Sequence, residues 1–392
     1  MEPIDALWAF LVAAAVALVA TPLSARLAYG VGAVDQPKER GLHDRPMPRL
    51  GGLAILLAVL VGGALFLAQT DQTRGILLGA AAIAVIGAFD DVFDLPAPIK
   101  LAGQCVAALI PVLADVRVEA FTLPFIGAVD LGDASGAVTV LGIVAVMNVV
   151  NLTDGVDGLA AGVCTIAAAT FAVIALSLDR VDAGVLAALT AGAAAGFLKH
   201  NFHPASVFMG DAGSNLLGLL LACIAIQGVL KTAAVVALFF PLVILAVPIL
   251  DTGFVVAKRI KYRQPVHRGD REHFHHRFDR IGFSQRRSVL YLYGWTLALS
   301  ALGLALRFVP YSDDRGNFHT GWTVVIVAFG IFAAAASVYL VYVLEILKFR
   351  RFREIQLKRQ AAKMDAPVPS DAEIRAEIVR DVETGEFEAI GR

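Results

Sequence analysis

Apolar runs of close to twenty residues recur along this chain, and that repetition constrains its fold more than any other feature. Such a run, coiled as a helix, is long enough to cross a hydrocarbon core of about 30 Å. The composition agrees: 58% of the 392 residues are hydrophobic and 17% are charged, against about a quarter charged in a soluble domain. The runs are continuous, which excludes a transmembrane β-barrel, whose strands alternate apolar and polar residues. The expected fold is an all-α polytopic membrane protein with about eleven transmembrane helices. They fall at roughly 4–24, 51–69, 75–89, 99–114, 136–150, 158–178, 183–198, 213–230, 232–250, 288–308 and 321–347. The chain then divides into a membrane domain, 1–350, and a charged tail, 351–392.

Lysine and arginine set the expected orientation. Of the 33 in the chain, 27 fall on one side of this span pattern and 6 on the other. The positive-inside rule puts the richer side in the cytoplasm, with the N-terminus outside and the C-terminus inside. The first run is read as a span and not a cleaved signal peptide, because Glu2 and Asp5 stand where a signal peptide is basic. Cys105, Cys164 and Cys223 fall inside spans, a setting that fits neither a disulfide framework nor a metal site. The tail opens with the basic and apolar "KFRRFREIQLKRQ", suited to a helix lying on anionic headgroups, and continues as a loose acidic segment.

Five polar segments stand out, and this topology gathers all five on the cytoplasmic face: Asp35–Gly52, Phe89–Gln104, Asn148–Gly162, Lys199–Asn215 and Val266–Phe278. A chain that only packed, or only moved solute, has no reason to concentrate them at one end of its helices. Asp90 and Asp91 close a span. They are either two solvated acids at a helix end, or a pair in which one carboxyl keeps its proton as a base, or a pair held by a cation. In "NLTDGVDG", Asn151, Asp154 and Asp157 recur every third residue among glycines, which favours a turn or broken helix that gathers their oxygens. Hard oxygens suit Mg²⁺, which takes one or two carboxylates and completes its shell with water and phosphate. The plainer reading is a Gly-Asp turn.

"VFMGDAGSN" sets Asp211 ahead of a span. Ser214 is read as a helix N-cap, and the glycine-rich backbone there can cradle phosphate. Phe208 either stacks on a base or is an ordinary interfacial aromatic. "HFHHR" places His273, His275, His276 and Arg277 in a loop with Lys261, Arg268 and Arg271. The surrounding cations oppose a zinc ion there, and arginine can grip phosphate by two bonds. "GLHDRPMPR" adds His43, Arg45 and Arg49, although any single cation can equally be a positive-inside anchor. Acids for a cation and bases for phosphates, at the mouth of a membrane bundle, describe an enzyme joining a soluble phosphorylated donor to a lipid phosphate. That chemistry needs little beyond positioning and charge neutralisation.

The ordered set of "DD" before "PIKLAGQ", "NLTDGVDGLAAG", "FMGDAGS" and "HFHHR" resembles the polyprenyl-phosphate N-acetylhexosamine-1-phosphate transferase superfamily, over about residues 35–280. "HFHHR" differs from the "HHH" run, followed by Phe and Glu, of the phospho-N-acetylmuramoyl-pentapeptide transferases. Together with "DQPKERGLHDRPMPRLGG", it is similar to the branch that transfers N-acetylglucosamine-1-phosphate to undecaprenyl phosphate. The resemblance implies an Mg²⁺-dependent enzyme of the bacterial inner membrane, with Mn²⁺ able to substitute. It would take a UDP-sugar and undecaprenyl phosphate, release UMP and start a lipid-linked surface polysaccharide.

The resemblance also implies roles. Asn151 and Asp211 would hold metal and diphosphate, with Asp154 beside them. Asp157, Asn201 and Phe208 would lie around the uracil. Asp90 would be the base acting on the lipid phosphate, next to Asp91, and Lys100 and His43 would help hold phosphates. His273, His275, His276 and Arg277 would meet the diphosphate or sugar. Direct attack is favoured over a covalent intermediate, because these motifs supply no activated Ser or Cys. The competing readings are a muramoyl-pentapeptide transferase or another UDP-N-acetylhexosamine-1-phosphate transferase, a zinc hydrolase built on the histidines, and a cation-coupled transporter. A transporter would place its ionisable groups near the bilayer midplane. The bilayer is an expected partner, nucleic acid is not, and a homodimer stays open. The long 115–135 connector is expected to form a short hairpin.

Overall fold

The computed structural model of the chain describes residues 2–36, 46–123, 127–230, 285–310, 319–333 and 335. Its helices are α1 (Asp5–Val31), α2 (Gly51–Phe66), α3 (Asp71–Phe93), α4 (Ala97–Leu113), α5 (Ser135–Thr153), α6 (Leu159–Ser177), α7 (Val181–Asn201), α8 (Gly210–Ala225) and α9 (Gln285–Phe308). A π-helical turn, Ile226–Leu230, prolongs α8, and a further apolar helix, α10, spans Thr320–Ala333. Two small antiparallel ribbons complete the described residues. In the first, β1 (Val34–Asp35) pairs with β2 (Met47–Pro48), Val34 opposite Pro48. In the second, β3 (Ala120–Leu123) pairs with β4 (Gly127–Asp130), which is the hairpin expected in the 115–135 connector.

Among the described residues, seven helices are long and apolar enough to cross a membrane, and Gly51–Phe66, Ala97–Leu113 and Thr320–Ala333 are shorter apolar helices. The protein is thus helical and multi-pass. The expected span at 232–250, the basic loop carrying His273, His275, His276 and Arg277, His43, and the tail beyond 350 lie outside the described residues.

In water an apolar stripe sorts the faces of a helix. Here apolar residues run all round, and side-chain size does the sorting. The buried face of α1 is Ala6, Ala9, Ala13, Ala17, Ala20, Ser24 and Ala28, whereas Leu7, Trp8, Leu11, Leu18 and Val19 point outward. Opposite that small-residue stripe lie Gly192 and Gly196 of α7, where any Cβ would collide with the carbonyls of Phe10 and Ala14. Small residues let two backbones close to van der Waals contact where lipid removes the hydrophobic incentive to associate.

The same device surrounds α8. Every residue from Ala212 to Ala225 is buried, and α2, α3, α5 and α7 all pack on this helix. Gly52 of α2 and Gly87 of α3 meet its first turn backbone to backbone, at Gly213 and Ala212. Buried hydroxyls along the spans donate to carbonyls one turn back, as Thr21 to Ala17 and Thr190 to Leu186, which satisfies them within their own helix.

Because α1 to α8 alternate in direction, the connections after α1, α3, α5 and α7 share one end of the bundle, and those after α2, α4 and α6 share the other. Two helices run further than the apolar runs that define them. α1 continues past 24 to Val31, and α3 carries Asp90 and Asp91 inside its last turn, ending at Asp94 in the left-handed conformation (φ 52°). Polar residues at these ends still satisfy a helical backbone, so apolarity marks the membrane and not the helix.

Gly196→Leu is expected to abolish recovery of monodisperse protein from detergent, since overpacking costs about 1–3 kcal/mol or more. Leu11→Ala, on the outward face, is expected to leave recovery and the thermal midpoint nearly unchanged. Size-exclusion chromatography with a thermal melt reads both.

Candidate functional site

Lys100 lies one turn into α4, and its Nζ is 2.7 Å from Oδ2 of Asp90 on α3 and 3.3 Å from Oδ2 of Asp211 on α8. Asp90 is buried, and its other oxygen accepts from the Leu95 backbone N–H at 2.8 Å. Asp211 is held on its second side by Asn151, whose Nδ2 donates to Oδ1 at 2.7 Å and to the Ser214 hydroxyl at 2.8 Å. Four helices, α3, α4, α5 and α8, therefore converge through four side chains.

Asp91 does something the sequence does not announce. Its Oδ1 accepts from the backbone N–H of Asp211 at 2.9 Å and its Oδ2 from that of Ala212 at 3.1 Å. It caps α8 from another helix, with a carboxylate where the helix dipole favours one. This corrects two expectations for "MGDAGS". Ser214 is not an N-cap: it sits within α8, fully buried, donating to the Gly210 carbonyl at 3.0 Å. Two of the first N–H groups of α8, those of Asp211 and Ala212, are also not open to phosphate, because Asp91 occupies them.

The "TDGVDG" segment is a turn, as its glycines required. α5 stops at Thr153, and Gly158, at φ 79°, starts α6. Asp157 is 2% exposed and faces the connection after α7: its Oδ2 lies 2.9 Å from His203 Nδ1 and accepts from the Ala205 N–H at 3.0 Å. Asn201 is also buried and joins the same two connections, accepting from the Gly158 N–H at 3.0 Å and donating to the Val207 carbonyl at 3.0 Å. Next along, the Phe208 N–H donates to Pro48 of β2 at 2.8 Å, while its carbonyl accepts from Gly51 at 3.0 Å.

A cavity of about 260 Å³ opens between these connections, lined by Asp35, Arg49, Asp91, Asn151, Asp154, Asp157, Asn201, Phe208 and Asp211 among others. Asp154 is half-buried, and its carboxyl is held well above the usual range by desolvation first and then by the nearby charges of Asp211, Asp91 and Asp157. A cation arriving at that carboxylate displaces its proton.

Among the described residues, no three His, Cys, Asp or Glu side chains form a ready metal cage. The oxygens of Asp211, Asn151 and Asp154 on one cavity wall fit instead an ion that takes few protein ligands and fills its shell with water and phosphate.

The glycosyl transferase family 4 model matches residues 73–229, the stretch that contains the Lys100 cluster and most of the cavity wall. A probable undecaprenyl-phosphate N-acetylglucosaminyl 1-phosphate transferase of Bacillus subtilis (strain 168) is 41% identical over 301 residues, 76% of this chain and 84% of that protein. The chain belongs to this glycosyl transferase family. A decaprenyl-phosphate N-acetylglucosaminephosphotransferase of Mycobacterium tuberculosis (strain ATCC 25618 / H37Rv) is 36% identical over 348 residues, 80% of this chain and 85% of its own. A phospho-N-acetylmuramoyl-pentapeptide-transferase of Desulforudis audaxviator (strain MP104C) is 35% identical over 331 residues, 76% of this chain and 95% of its own.

Of the residues singled out in the sequence, Asp90, Asp91, Lys100, Asn151, Asp154, Asp157, Asn201, Phe208 and Asp211 come together in this family 4 chain. Sequence reasoning missed a layer one helical turn deeper. Gln104, four residues after Lys100, donates to Asn215, four after Asp211, at 2.8 Å. Asn148, three before Asn151, donates to Gln104 at 2.8 Å, and Asn215 donates to the Asp211 carbonyl at 2.9 Å. The signal was present: three amides inside apolar runs, each a turn from a motif residue. It missed Tyr293 of α9 as well, whose hydroxyl donates to the Gly158 carbonyl and whose ring fills the notch left at Gly162.

Gln104→Leu breaks two of these hydrogen bonds and strands buried partners, a loss of about 1–3 kcal/mol. A thermal midpoint several degrees lower in detergent is expected, against no shift for Leu101→Ala on the exposed face.

Proposed function

We propose that this chain transfers N-acetylglucosamine-1-phosphate from UDP-N-acetylglucosamine to undecaprenyl phosphate and releases UMP. The observation that carries the reading is the cavity itself. One wall of acids and amides stands beside a lysine-bridged carboxylate pair at the end of a membrane bundle, in a family 4 chain. The names of the Bacillus and Mycobacterium relatives support the N-acetylglucosamine phosphate as the group transferred and a polyprenyl phosphate as acceptor, undecaprenyl in the first and decaprenyl in the second. The excess of Lys and Arg supports placing this end in the cytoplasm, within the bacterial inner membrane.

In this reading Asp211 and Asn151, with Asp154 in reach, hold Mg²⁺, and Mn²⁺ can substitute. The ion supplies neutralisation of the diphosphate charge when bound. Phe208, Asp157 and Asn201 form the uracil end. Asp157 and Asn201 act there chiefly by fixing the two connections, since their described hydrogen bonds go to protein. The lipid phosphate oxygen attacks the β-phosphorus of the donor, the bond to the bridging oxygen breaks, and UMP leaves. Asp90 takes the proton of the lipid phosphate, and Lys100 keeps that carboxylate aligned while offering positive charge to the phosphates. His43 and the 273–277 basic group would close on the diphosphate or sugar.

Purified protein with undecaprenyl phosphate and Mg²⁺ is expected to release UMP from UDP-N-acetylglucosamine and not from UDP-N-acetylmuramoyl-pentapeptide. Chelation should abolish release and Mg²⁺ restore it. Asp211→Asn should lower kcat about a hundredfold, the scale of one lost preorganised electrostatic contact. Release from the pentapeptide donor instead would move the chain to the muramoyl-pentapeptide activity.

A further inference from the structure

Among the described residues, five carboxylates line the cavity, Asp35, Asp91, Asp154, Asp157 and Asp211, and one cation, Arg49. An anion entering this acidic space needs donors, and most of the obvious ones are taken. Lys100 shares its charge with Asp90 and Asp211, which leaves less of it for a second phosphate. The leading N–H groups of α8 are capped by Asp91, and those of Gly51 and Gly52 at the start of α2 donate to the carbonyls of Phe208 and Met209 at 3.0 and 2.9 Å. Those four N–H groups, two on each helix, are therefore already taken.

Arg49 is different. Its backbone is fixed: its N–H donates to the Ala33 carbonyl at 3.0 Å, and the Phe208 N–H donates to the preceding carbonyl, that of Pro48, at 2.8 Å. Its side chain is half-buried and makes no ion pair with a described carboxylate, yet its charge is felt at Asp154 and favours that group's ionised form. A guanidinium in a lining rich in carboxylates, and paired with none of the described ones, has its planar fork available to a phosphate.

We propose that Arg49 grips the diphosphate of the nucleotide-sugar donor, in the cavity that Asp211 and Asn151 also line. This rests on the donor assignment above and deepens it. Arg49 would serve the soluble donor and Lys100 the phosphoryl group in transfer. Its neighbour Phe208, joined to the same ribbon, would meet the base, so the spacing between aromatic and guanidinium would select a nucleoside diphosphate over a nucleoside.

The test uses the full chain in detergent with Mg²⁺, and measures calorimetric binding of UDP and of uridine to the wild type, Arg49→Gln and Arg49→Lys, alongside KM for both substrates. Arg49→Gln is expected to weaken UDP at least tenfold and leave uridine within twofold, with Arg49→Lys in between. Donor KM should rise while acceptor KM stays. Equal weakening of UDP and uridine, no weakening of either, or a KM change confined to the acceptor would overturn the proposal. Arg49→Lys, which keeps the charge and the stem, carries the test if Arg49→Gln fails to fold. A wild type that binds no UDP overturns the donor reading itself, whereas wild-type binding matched by Arg49→Gln overturns only the role of Arg49.

Discussion

The ammonium of Lys100 is the group on which this arrangement depends. It stands between the buried Asp90 and the half-buried Asp211, and so ties the ends of α3, α4 and α8 at one point. Stranding a buried carboxylate costs about 3–5 kcal/mol, whereas an interhelical hydrogen bond between neutral groups in a membrane averages about 0.6 kcal/mol. The charged cluster therefore outweighs any other single polar contact in the bundle. It also concentrates at one place the carboxylates that a phosphate-handling enzyme needs and that an unoccupied site would otherwise hold apart by repulsion.

Beneath that cluster α4, α5 and α8 repeat the pattern without charge. Gln104, Asn148 and Asn215 stand one turn deeper than Lys100, Asn151 and Asp211 and join the same three helices. Charge at the mouth and amides below it follow the falling polarity along the bundle. An ion is affordable near water, while an amide can be fully satisfied by two or three partners where no water reaches. Deeper still the contacts are Ala, Gly and Leu. The site is thus built on rigid helix ends, and the two short connections that complete it are stitched together by Asp157 and Asn201.

Much of this was legible in the chain. Apolar run length located a helix at each described span, and the "DD", "NLTDGVDG" and "FMGDAGS" motifs named the side chains that meet. Other features were not legible, for identifiable reasons. The real ends of α1 and α3 lie beyond the apolar runs, because a helical backbone continues through polar residues at the interface. Asp91 reads as half of an acidic pair, yet its two oxygens cap a helix more than a hundred residues away, and local sequence carries no sign of a cap supplied from elsewhere. Ser214 has the composition of an N-cap but lies inside α8, because α8 begins earlier, at Gly210. Arg49 looked like one basic residue among several until the β1–β2 ribbon set it in the lining of the cavity.

The most direct test of the account is metal binding at the cavity, read by electron paramagnetic resonance of Mn²⁺ titrated into the purified full-length protein. The account predicts one Mn²⁺ per chain, bound more tightly when UDP-N-acetylglucosamine is present, and lost in Asp211→Ala. Unchanged Mn²⁺ binding in Asp211→Ala, with UMP release intact, would contradict it.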